Sequence, residues 1–393
     1  MPKDIERTMT RSMKSRSLLP LITGVALFAS ACSSAPKAPD EPLVFYPLPP
    51  DPPRIQFLRT VSRATDIEDG RSGLDTILFG EQTIQKSVMA PYGAAVHEGK
   101  VYVADIQQGV VLTLDFTGRE LGYIKLEGRA ALQKPCNLEF SPEGEMYVAD
   151  LGRRQVVVYD SDFNYKNEFG PFGDESRPVD LALAGDRVYV VDSGSKLIRA
   201  LDRFSGEEVI SFGKSEEVGQ SLRSPTNITL DEEGNIYVVD TMDCRVFVFD
   251  AEGNFLRHMG AAGDTIGRFA RPKGIAYSND IFFVIDAAFE NCQVFDRAGE
   301  PLMFFGGPGV GPGNLYLPAG VWTGTEGLEF FRDQIDENFE AEQLIIITNL
   351  YGPRKVNFYA MGKDKRFNYD VEPVPKAEPE PEPEPESDDE ERG

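Results

Sequence analysis

Short apolar runs separated by polar turns repeat along most of this chain. Each repeat opens with a proline and an apolar run. A polar turn and two further runs follow, and in the fourth copy they read SPTNITL, DEEGN, IYVVD, TMDC and RVFVFD. The opening prolines lie at intervals of 44, 43, 47, 47 and 46 residues: Pro91, Pro135, Pro178, Pro225, Pro272 and Pro318. A period in the forties with several short strands per unit is typical of a propeller or a solenoid.

The runs predict strands and not helices. Segments such as YVADI, YVVDS, IYVVD and FFVID are short, rich in β-branched and aromatic residues, and bounded by Gly, Asp, Asn or Pro. One four-stranded sheet cannot bury both of its faces alone, whereas six sheets packed radially can. The pattern therefore predicts an all-β, six-bladed β-propeller over residues 54–362.

The sixth copy is irregular and lacks a fourth strand. The segment RIQFLRTVS, residues 54–62, has the pattern of an outermost strand, so we expect it to pair with residues 355–359 and close the ring. The same copy carries an insert in which Leu328, Phe331, Ile335 and Phe339 follow a helical spacing. This predicts a short amphipathic helix, packed over the ring or used to dock a partner.

The amino-terminal residues have the pattern of a targeting segment. Residues 1–31 combine a basic start with the apolar stretch Leu18–Phe28, and the sequence Ala-Ser-Ala then leads to Cys32. This step resembles a bacterial lipobox, which implies lipidation of Cys32; the alternative is an ordinary signal peptide cleaved after Ala31. Ser33 after the cysteine resembles outer-membrane sorting, on the periplasmic side or the cell surface. We expect residues 32–53 to form a Pro-rich tether.

Charge and composition exclude some partners. The formal net charge is −24, and eleven acidic residues lie beyond position 368 in the Pro/Glu-rich segment 363–393, which predicts a disordered tail. Nucleic acid is disfavoured because phosphate binding needs a basic footprint. Arginines recur near the starts of the third strands, where they either form a basic groove or belong to the repeat: Arg153, Arg154, Arg199, Arg245 and Arg354.

Residue counts limit redox and metal chemistry. The chain contains two His and no CxxC motif, which excludes a c-type haem attachment and a His-rich zinc site. Beyond Cys32 three cysteines remain, and we expect buried thiols and not a disulfide between Cys244 and Cys292. The Asp that closes each second run is predicted to bind backbone N–H groups of the next turn: Asp105, Asp150, Asp192, Asp240 and Asp286.

The second position after each opening proline is the strongest candidate for a ligand site. It is occupied by Gly93, Asn137, Asp180, Asn227, Gly274 and Gly320. The three consecutive polar residues are candidate oxygen ligands for Ca²⁺ or contacts for a small polar ligand, or else they cap turns. Lactonase-type propellers use a similar arrangement with an added Glu ligand; Glu139 lies within the strand and does not match. We expect Asp180→Asn to cost little stability if the residues only cap turns.

The motif of Pro-x-Gly/Asn/Asp, an apolar run, GN-IYVVD and RVFVFD resembles the NHL repeat. Six such blades together with the lipobox, the PPRIQFL strand and the late IIITNLYGPRKVNFYA segment resemble lipoprotein propellers of metal-reducing anaerobic proteobacteria. The resemblance implies a lipid-anchored, non-enzymatic protein-binding scaffold. It also implies partners among envelope proteins, such as multihaem cytochromes or outer-membrane export components. The alternative is a metal-dependent hydrolase or lyase that uses Ca or Zn at the channel mouth.

Overall fold

The computed structural model describes residues 43–48, 50–68 and 86–369. The predicted leader 1–31, Cys32 and residues 370–393 of the predicted tail lie outside the described residues. Lys363 and Asp364 belong to the last strand, Val356–Asp364, so the tail boundary predicted at residue 363 is wrong. Within this part of the chain, no helix is long and apolar enough to cross a membrane.

Each sequence repeat folds into an antiparallel sheet, which we call a blade. The first two strands of the chain are β1 (Val44–Tyr46) and β2 (Ile55–Val61). Blade 1 contains β3 (Pro91–His97), β4 (Lys100–Asp105), β5 (Val110–Asp115) and β6 (Glu120–Tyr123). Blade 2 contains β7 (Pro135–Phe140), β8 (Met146–Asp150), β9 (Gln155–Tyr159) and β10 (Tyr165–Phe169). Blade 3 contains β11 (Pro178–Ala184), β12 (Arg187–Asp192), β13 (Leu197–Asp202) and β14 (Glu208–Phe212).

The remaining blades follow in chain order. Blade 4 contains β15 (Pro225–Leu230), β16 (Ile236–Asp240), β17 (Arg245–Phe249) and β18 (Phe255–Met259), and the short pair β19 (Ala261–Ala262) and β20 (Arg268–Phe269) follows it. Blade 5 contains β21 (Pro272–Ser278), β22 (Ile281–Asp286), β23 (Asn291–Asp296) and β24 (Pro301–Gly306). Blade 6 contains β25 (Pro318–Gly324), β26 (Phe339–Asn349) and β27 (Val356–Asp364). Short 3₁₀ helices lie at Ala64–Asp66, Gly128–Ala130 and Leu328–Phe331.

Every opening proline is the first residue of an innermost strand, so the repeat boundaries predicted from the sequence are confirmed. Proline suits this position because the first residue of a strand need not donate to the ladder. The middle strands read as continuous apolar runs because neighbouring blades cover both of their faces; all of β8 and β9, for example, is buried. Outer strands such as β10 are covered on one face only, so most of their residues are half-buried or exposed.

The apolar core lies between the blades and closes into a ring. One cluster of buried side chains fills each interface between consecutive blades, as with Tyr147 of blade 2 and Val188 of blade 3. A further cluster joins blade 6 to blade 1, where Ile346 and Phe358 pack with Val101 and Val103. The six-bladed β-propeller is therefore confirmed.

The amino-terminal strand closes the ring as predicted. Strand β2 pairs antiparallel with β27, from Ile55 opposite Met361 to Val61 opposite Val356. Phe57 lies opposite Tyr359, with ring centroids 5.4 Å apart in an edge-on contact. Strand β1, which falls in the segment assigned to the tether, pairs with β2 and gives this blade a fifth strand.

The amphipathic helix predicted in the blade 6 insert does not form. Only Leu328–Phe331 is helical, as a single 3₁₀ turn, and Phe339 is already the first residue of β26, opposite Asp364 of β27. Phe331 and Phe339 are buried in the cluster between blades 6 and 1. Burial therefore explains the apolar spacing, and pairing with the extended β27 draws the end of the insert, from Phe339 onward, into the sheet.

The repeated Asp at the end of each second strand joins two loops, which confirms its predicted structural role. The Asp240 carboxylate accepts hydrogen bonds from the N–H groups of Arg223 and Ser224, before the first strand, and of Met242 and Asp243, after the second. In blade 6 the same position is Asn349, which accepts from the N–H of Tyr316 at 3.2 Å. We call this arrangement the Asp clamp. It fixes the loops at one end of each blade.

Candidate functional site

The three polar residues singled out in the sequence do meet, on the innermost strands of blades 2, 3 and 4. Asn137 and Asn227 donate their side-chain amides to opposite oxygens of the Asp180 carboxylate; the Asn227 bond is 2.9 Å long. The backbone N–H groups of Leu181 and Ile228 donate to the same two oxygens, at 2.8 and 3.0 Å. We call this group the carboxylate bridge.

The two asparagines turn their amide nitrogens, and not their oxygens, towards the Asp180 carboxylate. Each Asp180 oxygen already accepts two N–H groups, and Asn137 Oδ1 accepts the N–H of Leu138 at 2.9 Å. Turning either amide would place its oxygen against the carboxylate, which is repulsive. The arrangement thus links three blades through hydrogen bonds, a role that neither the turn-capping nor the metal-ligand interpretation describes.

Glycine occupies the same position in the other three blades because backbones approach closely there. A Cβ on Gly320 would lie 2.2 Å from the carbonyl oxygen of Tyr92 in blade 1, and one on Gly274 would lie 2.8 Å from that of Ala319 in blade 6. A Cβ on Gly93 would overlap Asn137. The position therefore forms an inner ring of contacts between blades.

A cavity of about 590 Å³ occupies the central channel, which we call the channel cavity. It runs from Asn137 and Asp180 to the turns 231–235 and 279–280 at the other end of the innermost strands. Its volume falls in the range of small-ligand sites. The walls combine aliphatic side chains with Trp322, the one tryptophan of the sequence.

Glu139, which was set aside from the sequence because it lies within the strand, is a functional candidate in the structure. It lies two residues after Asn137, on the same face of the strand, and lines the channel cavity. Its Oε2 accepts the N–H of Leu183 at 2.8 Å, while Oε1 accepts no hydrogen bond from the described residues. Burial raises the pKa of Glu139 to about 8 and the pKa of Asp180 to about 7. The sequence signal for Glu139 was its spacing, because side chains two residues apart on a strand point to the same face.

The two ends of the ring differ in charge. One end of the ring carries the turns between the first and second strands of each blade. It also carries the turns between the third and fourth strands of blades 1 to 5. All these turns together contain 4 basic and 19 acidic residues, and we call this end the acidic face. The chain segments flanking blade 6 add Asp51, Arg54, Lys365 and Arg366 there. The described loops of the opposite face contain 15 basic and 10 acidic residues. The channel cavity opens on the acidic face.

Comparison with known proteins gives partial matches. Protein brain tumor of Drosophila melanogaster is 25% identical over 136 residues, which are 33% of this chain and 12% of that protein. The E3 ubiquitin-protein ligase NHLRC1 of Homo sapiens is 29% identical over 122 residues, 29% of this chain and 31% of the ligase. The chain thus spans less than a third of the length of these two relatives. No protein-family model matches.

Solved structures agree on the fold. A protein of unknown function from Bacteroides thetaiotaomicron has a TM-score of 0.56 at 16% identity, covering 77% of this chain and 75% of that one. Virginiamycin B lyase from Staphylococcus aureus has a TM-score of 0.50 at 14% identity, covering 70% of this chain and 96% of the lyase. This chain is an all-β, six-bladed β-propeller. At these identities the structural likeness concerns the fold alone.

The recurrent arginines of the propeller are engaged within it. Arg153 pairs with Glu168 at 2.5 Å, and Arg199 pairs with the clamp residue Asp192 at 3.0 Å. Arg154, Arg245 and Arg354 also bond to neighbouring loops. These contacts support the interpretation that the arginines belong to the repeat.

The described cysteines are free thiols, and the predicted burial is confirmed for two of the three. Cys136 and Cys292 are buried, Cys244 is partly exposed, and Cys244 and Cys292 are not joined by a disulfide. Burial raises the pKa of each thiol. The described residues contain no group of three or more His, Cys, Asp or Glu side chains placed to hold a metal ion.

The carboxylate bridge revises the expected cost of Asp180→Asn. An amide would present an NH₂ group to two N–H donors, so we expect the substitution to lower the free energy of unfolding by about 1–3 kcal/mol. Thermal denaturation measures this, with Asp250→Asn in the surface turn 250–254 as the control. We expect Ca²⁺ to leave both melting temperatures unchanged. An ion site would be established by a different result. Ca²⁺ at a hundred times its dissociation constant would then raise the free energy of unfolding of the wild type by roughly 2.7 kcal/mol, and Asp180→Asn would abolish this gain.

Proposed function

We propose that this propeller is a lipid-anchored, non-enzymatic protein-binding scaffold of the bacterial cell envelope. The observation that carries the proposal is the contrast between the acidic face and the opposite face. Complementary charge on a rigid surface steers association and selects partners. The partial matches to NHL-containing relatives fit a binding role.

The anchor is proposed from the sequence alone. Acyl chains on Cys32 would each contribute about 0.8 kcal/mol per buried CH₂ group, so several chains hold a protein firmly at a membrane. Ser33 supports the outer membrane as the location. In this setting the partner is an envelope protein, and multihaem cytochromes or outer-membrane export components are the proposed classes.

The predicted lipidation of Cys32 can be tested directly. Mass spectrometry of the native amino terminus is expected to find Cys32 as the first residue, carrying acyl chains. The variant Cys32→Ser should move the protein from the membrane fraction to the soluble fraction. An unmodified amino terminus at another residue would contradict the anchor while leaving the scaffold role open.

Partner binding is tested by site-specific photo-crosslinking in intact envelopes. A photoreactive residue at exposed Glu252 probes the acidic face, one at exposed Lys196 probes the opposite face, and one at Val209 on the outer rim is the control. We expect a discrete protein adduct from at least one face and none from the rim. The absence of a protein adduct at both faces would contradict the scaffold role.

A further inference from the structure

The channel cavity has the chemistry of a site for a cationic side chain. Glu139 and Asp180 line its inner end, and Glu232 lies at its mouth on the acidic face. Neither Lys nor Arg is among the described residues that line it, so these carboxylates have no cationic partner in the cavity. Burial without a cationic partner favours the neutral forms of these carboxyl groups, and a positive charge brought into the cavity would favour the ionised forms.

A second feature at the inner end is an acceptor without a donor. Glu139 lines the cavity, and its Oε1 accepts no hydrogen bond from the described residues. Both Asp180 oxygens already accept N–H groups of the carboxylate bridge, so Glu139 supplies the acceptor that a ligand can reach. A guanidinium group has five N–H donors and no acceptor, which is the complementary set.

The cavity walls match the rest of such a side chain. Leu181, Ile228 and Val321 supply aliphatic surface, and half-buried Trp322 supplies an aromatic face. Arg and Lys bury an apolar stem while the charged head reaches polar groups, and Trp is the best aromatic partner for a cation. A bare divalent ion would not use this apolar wall, and it prefers several converging oxygen ligands.

We propose that the channel cavity binds an arginine side chain presented by a basic segment of a protein partner that docks on the acidic face. This inference rests on the proposed scaffold function and specifies the partner's chemistry. The acidic face gathers the basic segment by long-range attraction. Insertion of one arginine then fixes the position of the partner, because a planar guanidinium pairs with carboxylates in defined geometry.

Trp322 makes the site directly observable, since it is the one tryptophan of the chain and lines the cavity. The full-length protein in detergent micelles is titrated with the peptide acetyl-Gly-Arg-Gly-amide while tryptophan emission is recorded. The matched ligand carries citrulline, which has nearly the same shape as arginine but no charge. We expect a saturable change in emission with the arginine peptide and none with the citrulline peptide.

Two variants locate the response. Glu139→Gln removes the charge at the inner end and should weaken the arginine peptide at least about tenfold, since a hydrogen bond to a charged group contributes about 1.5–3 kcal/mol. Glu252→Gln removes an exposed charge of the acidic face outside the cavity and should change the affinity less than about twofold. If Glu139→Gln fails to fold by thermal denaturation, Glu232→Gln at the exposed mouth takes its place.

The outcomes separate this inference from the scaffold proposal. An equal response to both peptides, no response to either, or a response abolished equally by Glu252→Gln would overturn the arginine site. Tighter binding of spermidine or Ca²⁺ than of the arginine peptide would also overturn it, in favour of a small cationic ligand. A protein adduct at position 252 with a silent titration contradicts this inference alone. An arginine response without any adduct contradicts the scaffold and the protein partner, and leaves only the affinity of the cavity for arginine.

Discussion

Deleting residues 33–64 will abolish cooperative unfolding of the propeller, whereas deleting residues 33–42 will leave the melting temperature unchanged. The longer deletion removes β2, the fourth strand of blade 6, and with it the pairing from Ile55 to Val61 along β27. Both deletions keep the leader and Cys32, so processing of the amino terminus is the same in the two proteins.

The expected size follows from burial. Ile55, Phe57, Leu58 and Val61 of β2 are all buried. Burying such a side chain contributes about 1.5–3 kcal/mol, so the strand contributes about 6–12 kcal/mol. Whole domains are stable by only about 5–15 kcal/mol. Loss of the strand also exposes the edge of β27, which invites aggregation.

Circular dichroism and differential scanning calorimetry measure both deletions. Phe57→Ala is the milder version and should cost about 3–5 kcal/mol, since Phe57 is buried against Tyr359. Leu48→Ala, at a position 68% exposed, is its control and should change little. If the longer deletion melts like the shorter one, β2 is dispensable and the ring is closed by other contacts.

Asp240→Ala will lower the melting temperature by about 5–8 °C, the second largest effect that we expect. Asp240 is fully buried, and its carboxylate accepts four backbone N–H groups at 2.6 to 3.0 Å. Each buried donor left without a partner costs about 1–3 kcal/mol, and rearrangement recovers part of that, so we expect a loss of about 3–5 kcal/mol. The unfolding entropy is about 2.1 cal/mol/K per residue, so a propeller of about 310 residues loses roughly 1.5 °C per kcal/mol.

Two comparisons separate the clamp from a generic turn effect. Asp250 also accepts N–H groups, from Glu252 and Asn254, but it lies in a partly exposed surface turn where water can replace it. Asp250→Ala should therefore cost about 1 kcal/mol. Asp240→Asn should fall between the two, because one oxygen remains, as at Asn349 in blade 6. If both alanine substitutions lower the free energy of unfolding equally, the Asp clamp contributes no more than an ordinary surface turn.

Patterns within one repeat were sufficient to predict the blade. Proline at the start of the innermost strand, the clamp Asp after the second strand and the apolar runs between them all depend on local turn chemistry and on alternation of side chains. The closing strand β2 was also predictable, since blade 6 lacked a fourth strand and Ile55–Val61 carried the missing pattern. These features repeat or complement one another along the chain, so the sequence displays them.

The insert in blade 6 shows where a local pattern is ambiguous. Leu328, Phe331, Ile335 and Phe339 are spaced as on a helix, yet the chain from Phe339 onward pairs with β27. An apolar spacing of three or four residues records burial on one side, and both a helix and a 3₁₀ turn followed by a strand can satisfy it. The partner strand decided between them.

The sequence by itself determined the number of blades and their order, because these follow from a pattern that repeats within about fifty residues. Only the tertiary structure decided what Asn137, Asp180 and Asn227 do, since their side chains meet across blades and the amides turn their nitrogens towards the carboxylate. The channel cavity and the place of Glu139 in it likewise exist only when the ring is closed. The direction of a hydrogen bond and the shape of a cavity depend on how segments far apart in the chain pack together. A local sequence pattern therefore does not show them.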